Sequence, residues 1–307
     1  MRILTTGAAG FIGSHVADAL LEAGHDVVVV DNLTTGRREN VPARARFIEL
    51  DLAGDGVAQM ISDVRPDVVI HHAAQADVMS SVADPVRDTR VNVLGTISLL
   101  HAAVQSGARK VIFASSGGAI YGEPQYIPCK EDHPINPISP YAAAKAAAEI
   151  YLQTFGRVYG LDYTILRYPN VYGPRQHPYT EEGQVVAIFA RLMLNGRHPT
   201  IFGSGEQGRD FLYVTDVAAA SLLALDRGSQ GTFNLGSGEL TTVNDLYRWI
   251  AELTGFPSPA AYAPERPGEV FRITLDATKA RSELGWEPRI SLKDGLARTV
   301  EWVRTNL

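Results

Sequence analysis

The stretch RILTTGAAGFIGSH, residues 2–15, decides the fold because it joins a strand pattern to a helix pattern through three glycines. The apolar run RILTT is typical of a buried strand, and GFIGSHVADALLEAG is typical of a helix. Gly7, Gly10 and Gly13 lie between them, where they allow a tight turn and close approach of a ligand to the backbone. Unpaired N–H groups and the helix dipole at such a turn stabilise a pyrophosphate. In this context the glycines predict a dinucleotide site, although the bare triplet fits an empty turn equally well.

Outward from this stretch, short apolar runs alternate with helix-like segments. The runs are DVVVVDN, ARFIELDL, DVVIHHAA, KVIFASS and DYTILRY. Runs rich in Val and Ile without polar alternation suit strands that are buried on both faces. Their alternation with helices predicts an α/β fold with a doubly wound parallel sheet. From about Pro174 onward, Pro, Gly and charged residues interrupt short elements, so we expect a smaller mixed domain there.

Composition and charge limit the classes of partner. The 307-residue chain has a formal net charge of −6 and lacks the basic footprint that nucleic acids and anionic membranes normally require. Its N-terminus enters a strand pattern without a signal segment, and no apolar run is as long as a membrane span, so we expect a cytoplasmic protein that binds no membrane. The single cysteine, Cys129, excludes an intrachain disulfide framework and a thiolate cluster, and we predict no metal site.

Acidic residues at the ends of the next two strands indicate which dinucleotide binds. Asp31 ends the second predicted strand, where an acid accepts hydrogen bonds from the adenosine ribose and repels a 2′-phosphate. This favours NAD over NADP, although Arg37 and Arg38 follow in the same loop and are able to bind such a phosphate. Asp51 ends the third strand, where it either accepts from the adenine amino group or caps the helix near Gly54.

A tyrosine and a lysine on one helix predict the reaction site. The segment SPYAAAKAAAE places Tyr141 and Lys145 four residues apart and therefore on one helix face. In isolation this pattern is more often a surface pair in which the lysine covers the ring. A tyrosine needs to lose about three pKa units to ionise near pH 7, and one nearby cation supplies about 1 to 3. Ser115 and Ser116 leave the fifth predicted strand at the sheet edge where ligands of such folds bind, so we expect them beside this helix.

Taken together, TTGAAGFIGSH, the DN at residues 31–32, the HHAA at residues 71–74, SSGGAIYG, YAAAK and RYPNVYGPR resemble the extended short-chain dehydrogenase/reductase family. Within it, the chain is most similar to nucleotide-sugar 4-epimerases of the UDP-glucose (UDP-galactose) type, over nearly its whole length. The resemblance implies a Rossmann-type NAD-binding domain at residues 1–173, with return segments from the C-terminal half. Residues 174–307 are then mainly a mixed α/β domain that binds the nucleotide sugar.

The resemblance also implies an activity and an assembly. The activity is NAD-dependent interconversion of UDP-glucose and UDP-galactose by transient oxidation at C4 to a 4-keto sugar, with hydride returned to either face. The assembly is a homodimer, in which the Ala-faced helices around residues 92–103 and 142–151 form a four-helix bundle with a second copy. The same faces are equally able to be covered within one chain.

Roles for individual residues follow from the resemblance in three groups. Catalysis is expected at Ser116, Tyr141 and Lys145. NAD is expected to contact Gly7, Gly10, Phe11, Ile12, Gly13, Asp31, Asn32, Asp51, Leu52, Ala73, Ala74, Gln75, Asn92, Tyr141, Lys145, Tyr168 and Pro169. The UDP-sugar is expected to contact Ser116, Asn170, Thr200, Phe202, Arg209, Arg266 and Glu269.

The position of the catalytic hydroxyl has two possible alignments. Counting from Phe113 places Ser116 on the family's catalytic serine, whereas counting back from Tyr121 places Gly117 there. We choose Ser116 because a strand fixes geometry better than a loop does.

Five further positions depart from the pattern or need a role. Glu269 stands where the family usually has an aspartate, and Ala76 stands where some members have a lysine. Ile273 falls at the position that, in the family, limits the size of the substituents that the sugar can carry. His71 and His72 end a strand without the acids or thiols of a metal site, so one is expected to pack and the other to reach the cofactor.

Several functions remain as alternatives. A 4-epimerase of another nucleotide sugar, such as UDP-N-acetylglucosamine, UDP-glucuronate or a dTDP sugar, fits the same residues. Related 4,6-dehydratases and decarboxylases carry an acid before the tyrosine, and SSGGAIYG has none, which weighs against both. A non-catalytic NAD-sensing module of this fold typically loses the tyrosine or the lysine, and both are present in this chain.

Overall fold

The structure, a computed structural model, describes residues 1–176, 185–265 and 270–306. Its strands in chain order are β1 (Arg2–Thr6), β2 (Asp26–Asp31), β3 (Arg46–Glu49), β4 (Val68–His71), β5 (Lys110–Ser116), β6 (Asp162–Tyr168), β7 (Asn170–Tyr172), β8 (Thr200–Phe202), β9 (Gly208–Arg209), β10 (Phe211–Tyr213), β11 (Gly231–Asn234), β12 (Thr241–Thr242), β13 (Ala261–Ala263) and β14 (Arg272–Ile273).

The α-helices are α1 (Phe11–Glu22), α2 (Val57–Val64), α3 (Val78–Ala83), α4 (Pro85–Thr89), α5 (Gly95–Ser106), α6 (Gly117–Ile120), α7 (Pro140–Tyr159), α8 (Val185–Leu194), α9 (Val214–Leu223), α10 (Val243–Thr254) and α11 (Leu292–Asn306). A 3₁₀ turn spans Arg38–Asn40, and wider π-helical turns span Arg90–Leu94 and Ala280–Leu284. None of the helices in the described ranges is long and apolar enough to cross a membrane.

Seven of these strands form one parallel sheet in the order β11-β6-β5-β4-β1-β2-β3. The chain builds outward from β1 to β3 and then returns to the other side of β1 with β4, so the strand order reverses between β1 and β4. In such sheets ligands bind beyond the carboxyl ends of the strands at this reversal. The predicted doubly wound α/β fold is confirmed, and the reversal identifies the edge where a site is expected.

Helices cover both faces of the sheet. One face packs against α1 and α9, and the other packs against α2, α5 and α7. Residues 68–71 of β4 are fully buried, which agrees with the unbroken Val and Ile pattern of that run. Both α9 and β11 lie beyond residue 174, so the C-terminal half contributes a helix and a strand to this layered unit.

A second core lies between α8, α10 and α11, packed with β8 and β10. Small sheets join it to the rest: β7 pairs with β10, β8 with β13, and β9 with both β12 and β14. Residues 170–172 of β7 directly follow the main sheet, so the second core lies beside the carboxyl ends of the main strands.

The start of α7 is fixed by its own sequence. The Ser139 hydroxyl accepts a hydrogen bond from the Ala142 N–H at 3.2 Å, and Pro140 occupies the first helical position. Gly160, at a φ of 71°, ends the helix. Tyr141 therefore lies in the first turn of α7, at the end that faces the site.

Candidate active site

One cavity of about 1650 Å³ runs along the carboxyl edge of the sheet and into the second core. It begins at the glycine turn after β1, passes the ends of β4, β5 and β6, and reaches β8 and β9. Of the predicted site residues that the structure describes, the cavity wall includes every one except Asn92. Arg266 and Glu269 lie outside the described residues.

The glycine turn has the shape that a dinucleotide pyrophosphate needs. Gly7 has a φ of +69°, and a Cβ there would lie 2.5 Å from the Ala73 nitrogen. A Cβ on Gly13 would lie 2.5 Å from the Gly7 carbonyl oxygen. No side chain in the described ranges caps α1 at Gly10, so the helix N-terminus faces the cavity as backbone. Both positions must therefore be glycine for the chain to form this turn, and the bare helix N-terminus that it presents fits the pyrophosphate of NAD.

Asp31 is held rigidly at the adenosine end of the cavity. Its carboxylate accepts from the Ala9 N–H at 3.0 Å and from the Leu33 N–H at 2.9 Å, and it is 8% exposed. Burial raises the pKa of Asp31, while the backbone hydrogen bonds oppose that change. Asp51 lines the cavity and also accepts from the Ala53 N–H at 2.9 Å, so both of its predicted roles are compatible with its position.

Asn92 supports the cavity wall from behind. Its side chain accepts from the Gln75 N–H and donates to the Gln75 carbonyl, both at 2.9 Å, and it is 3% exposed. This reciprocal pair orients the loop after β4, which carries Ala73, Ala74 and Gln75 of the cavity wall, so Asn92 lies directly behind the predicted cofactor contacts. Asp88, which sequence reasoning missed, accepts from both side-chain amides at 2.9 Å. Asp88 lies thirteen residues from Gln75 in the sequence, so its supporting role is apparent only from their contact in the folded chain.

The three residues predicted to be catalytic lie together at the end of β5. Ser116 is the last residue of β5 and pairs in register with Tyr168 of β6. Lys145 lies one turn after Tyr141 on α7; its ammonium donates to the Ala114 carbonyl at 2.9 Å and lies 6.0 Å from the centre of the Tyr141 ring. Burial lowers the pKa of Lys145 to about 8, with Asp88 and Glu149 acting in the opposite direction. The arrangement places a buried cation beside a phenol and a strand-end hydroxyl.

The structure bears on which residue supplies that hydroxyl. A Cβ on Gly117 would lie 2.5 Å from Leu275 Cδ1 and 3.3 Å from Arg167 Cβ, so position 117 faces the core. The Ser115 hydroxyl donates to Glu149, also away from the reaction centre. Ser116 lines the cavity, which favours the alignment that we chose.

The two adjacent histidines have different surroundings. His71 is buried between the hydroxyls of Thr6, at 2.7 Å, and Thr96, at 3.0 Å. His72 lines the cavity, and its Nε2 lies 3.1 Å from the Tyr168 hydroxyl. Burial lowers the pKa of each histidine to about 3, with the Lys145 charge adding to the effect. Both rings are therefore neutral, and no group of metal-ligating side chains occurs in the described ranges.

The second core closes the other end of the cavity. Asn170, Thr200, Phe202 and Arg209 all contribute to its wall. Arg175 and Gln176, which sequence reasoning missed, also line it, and Arg175 forms an ion pair with Asp18 of α1 at 2.6 Å. Arg175 belongs to the quoted RYPNVYGPR motif, so its proximity to the site had a signal in the sequence.

Ile273 does not gate the cavity. It is 1% exposed, belongs to a buried cluster that contains Ile120 and Tyr121, and is absent from the cavity wall. The expectation for Ile273 is therefore corrected. Val270, a member of the same cluster, lines the cavity instead.

A doubly wound sheet, a glycine turn, a strand-end acid and a Ser/Tyr/Lys set on one cavity define a nicotinamide-dependent enzyme of the short-chain dehydrogenase/reductase class. The chain belongs to the NAD dependent epimerase/dehydratase family, whose model matches residues 3–236. The resemblance inferred from the motifs and the expected NAD dependence are thereby confirmed.

Three comparisons show the similarity in detail. The chain is 44% identical to the UDP-glucose 4-epimerase of Mycolicibacterium smegmatis, over 99% of both chains. The crystal structure of the Thermotoga maritima UDP-glucose 4-epimerase with UDP-glucose superposes with a TM-score of 0.97, at 49% identity over 99% of each chain. That of the Thermus thermophilus UDP-glucose 4-epimerase with NAD superposes with a TM-score of 0.95, at 46% identity over the whole of each chain.

Proposed function

We propose that this protein is an NAD-dependent nucleotide-sugar 4-epimerase that interconverts UDP-glucose and UDP-galactose. The observation that carries the proposal is the meeting of Ser116, Tyr141 and Lys145 on one cavity with the glycine turn and Asp31. Full-length similarity to UDP-glucose 4-epimerases, one of them solved with UDP-glucose and one with NAD, supports it.

Each catalytic residue has one task in this reaction. Tyr141 takes the proton of the sugar 4-hydroxyl, and Ser116 donates a hydrogen bond to the same oxygen. Lys145 is fixed by the Ala114 carbonyl, so its charge stabilises the phenolate form of Tyr141. The glycine turn and Asp31 would hold NAD, which would supply the acceptor and later the donor of the C4 hydride. Tyr141 then gives the proton back as the alcohol re-forms.

Inversion requires the 4-keto sugar to turn over while its diphosphate stays bound. The cavity extends from the β5 edge to β8 and β9, so the two ends of the substrate are held by different parts of the wall. We assign the diphosphate to Asn170 and Arg209, with Arg266, and the uracil side to Thr200 and Phe202. These residues belong to the part of the chain beyond β6, for which we propose nucleotide-sugar binding.

Dehydration and decarboxylation do not fit this wall. Between Ser116 and Ile120 the residues are Gly117, Gly118 and Ala119, and the last two line the cavity. Neither offers an acid to protonate a leaving group or to assist loss of a carboxylate. The chemistry that these residues support is reversible oxidation at C4.

The test is a substrate panel. The purified protein is incubated with UDP-galactose, UDP-N-acetylgalactosamine or UDP-galacturonate, and the 4-epimers are separated chromatographically. We expect conversion of UDP-galactose to UDP-glucose by the wild type and almost none by Tyr141→Phe. Conversion of only another member of the panel would redirect the specificity, and conversion of none by NAD-loaded protein would contradict the proposal.

We also propose that two copies pair through α5 and α7. Leu94, directly before α5, is 54% exposed, and Ile150 and Val158 on α7 are 60% and 64% exposed, so the elements of the expected bundle carry large apolar side chains that this chain leaves exposed. Sedimentation velocity should show a dimer for the wild type and a monomer for Ile150→Asp/Val158→Asp. Leu253→Asp, at a partly exposed position on α10, is the matched control and should remain dimeric. A monomeric wild type contradicts this assembly.

A further inference from the structure

Two oppositely charged side chains are buried directly behind the catalytic residues. Arg167 of β6 donates to both carboxylate oxygens of Glu149, from Nε at 3.0 Å and from Nη2 at 2.7 Å. Their side chains are 4% and 1% exposed. Neither residue lines the cavity, so substrate and cofactor contacts do not explain them. An ion pair so fully removed from water adds little stability over apolar residues of the same volume, so stability alone does not explain it either.

The pair links the elements that carry the catalytic residues. Ser115, beside Ser116 on β5, donates its hydroxyl hydrogen to Glu149. Arg167 also donates to the Tyr121 hydroxyl at 2.7 Å, and Tyr121 donates to Asn234 of β11 at 2.7 Å. Glu149 thus connects α7, which carries Tyr141 and Lys145, to β5 through Ser115 and to β6 through Arg167.

Charged and titratable side chains from several elements surround the reaction centre. On α7, Tyr141, Lys145 and Glu149 follow one another at intervals of four residues, so they share one face. Asp88 of α4 and Glu149 oppose the burial of the Lys145 ammonium, and His71 and His72 at the end of β4 are neutral. Arg167 of β6 also donates to the Glu131 carbonyl at 3.1 Å, and the Glu131 carboxylate accepts from the Asn234 N–H at 2.8 Å. Tyr121, after α6, is uncharged because burial, together with Glu149, outweighs the effect of Arg167 and raises its pKa to about 12.

We propose that Glu149 is a positioning residue for the reaction, which neutralises Arg167 so that Lys145 supplies the net positive charge that acts on Tyr141. The inference rests on the proposed function only in taking Tyr141 as the base. Glu149 touches neither substrate nor cofactor and acts through its neighbours. Its charge sets the pH range in which Tyr141 is ionised while Lys145 remains protonated.

The Glu149→Gln variant separates charge from shape. Glutamine keeps the size and one acceptor for Ser115 and Arg167, but it leaves the arginine charge uncompensated. An added positive charge favours phenolate and disfavours ammonium, so both limbs of the pH profile of kcat should move to lower pH. Eight helical residues separate Tyr141 from Glu149, about 12 Å along the axis. At that distance and an effective dielectric constant of about 20, the shift is about one pH unit.

Three further variants make the test specific. Glu149→Asp keeps the charge and shortens the side chain, so the pH profile should stay in place while kcat falls. Glu149→Gln/Arg167→Gln removes both charges and should return the profile to the wild-type position. Asp162→Asn breaks the 3.5 Å pair with Lys110 between the same two strands at their opposite end, about 20 Å from Ser116, and should lower stability without moving the profile.

A second measurement does not depend on turnover. Tyrosinate absorbance is titrated for NAD-loaded protein, and the same titration of the matching Tyr141→Phe protein is subtracted. The Tyr141 signal should appear about one pH unit lower in Glu149→Gln than in the wild type, and unmoved in Asp162→Asn. If the wild type epimerises none of the sugars, the proposed function fails, and this titration still decides the role of Glu149.

Three results would overturn the inference. The first is a Glu149→Gln profile and titration that coincide with those of the wild type. The second is an equal shift in Asp162→Asn, which would show a general effect of breaking an ion pair between these two strands. The third is a double variant that stays displaced from the wild-type position. If Glu149→Gln alone does not fold, a displaced double variant still refutes the inference, and coincidence of its titration with that of the wild type supports it.

Discussion

Replacing Lys145 by Met should stabilise the protein while removing its activity. The structure buries the ammonium to 4% exposure, and burial lowers its pKa from 10.5 to about 8. Below pH 8 the folded protein therefore carries the whole cost of a buried charge, which is about 3 kcal/mol for this pKa difference. Met fills a similar volume without a charge. Loss of the hydrogen bond to the Ala114 carbonyl offsets about 1 kcal/mol, so we expect a net gain of about 2 kcal/mol at pH 7.

The pH dependence of this gain has a definite sign. Between pH 8 and 10.5 the unfolded chain still holds the proton that the folded protein has released, so wild-type stability rises with pH through that window. The advantage of Lys145→Met should therefore shrink by about 3 kcal/mol from pH 7 to pH 10.5. Urea unfolding of the NAD-free proteins at several pH values measures it, because bound dinucleotide would add its own stabilisation.

A matched lysine serves as the control for this prediction. Lys130 is exposed, so Lys130→Met removes a lysine without relieving a buried charge, and it should show none of the stability gain expected of Lys145→Met at pH 7. A difference between Lys145→Met and the wild type that does not change with pH would refute the argument that burial of this ammonium costs stability. A variant less stable than the wild type at pH 7 would show that the hydrogen bond outweighs desolvation.

Three further predictions concern single contacts. Tyr141→Phe should keep NAD and UDP affinity, measured by calorimetry, and lower kcat by about 10² to 10⁴-fold; unchanged turnover would show that another group is the base. Ser116→Ala should lower kcat by about 10²-fold with NAD affinity unaltered, and a normal rate would reopen the choice of hydroxyl. Gly7→Ala places a Cβ 2.5 Å from the Ala73 nitrogen at a φ of +69°. Thermal unfolding should therefore show that the free energy of unfolding falls by more than about 1 kcal/mol, and NAD should bind more weakly. Wild-type values for both would mean that the backbone of the turn adjusts to accept a side chain.

The local part of the site was predictable from the sequence because its geometry is local. The glycine turn needs only a strand, three glycines and a helix in succession, and Tyr141 and Lys145 share a face because four residues make about one helical turn. Asp31 is likewise placed by the end of its own strand. For such features short separations along the chain fix the distances between residues. Folding is needed only to bring the features together at one edge of the sheet.

The tertiary structure decided what depends on partners far along the chain. Asn92 lies behind the cavity wall because its side-chain amide forms two hydrogen bonds with the backbone of Gln75, which is seventeen residues away in the sequence. Ile273, on β14, packs in the buried cluster around Ile120 and not on the cavity wall.

No periodic pattern in the sequence predicts the Glu149–Arg167 pair, because Glu149 of α7 and Arg167 of β6 come together only once the sheet has formed. Sequence by itself thus determined the family and the cofactor, and it predicted the residues to which we assign the chemistry. Which buried groups hold those residues, and at what charge, was decided only by tertiary packing, because burial and long-range pairing are properties of the folded chain.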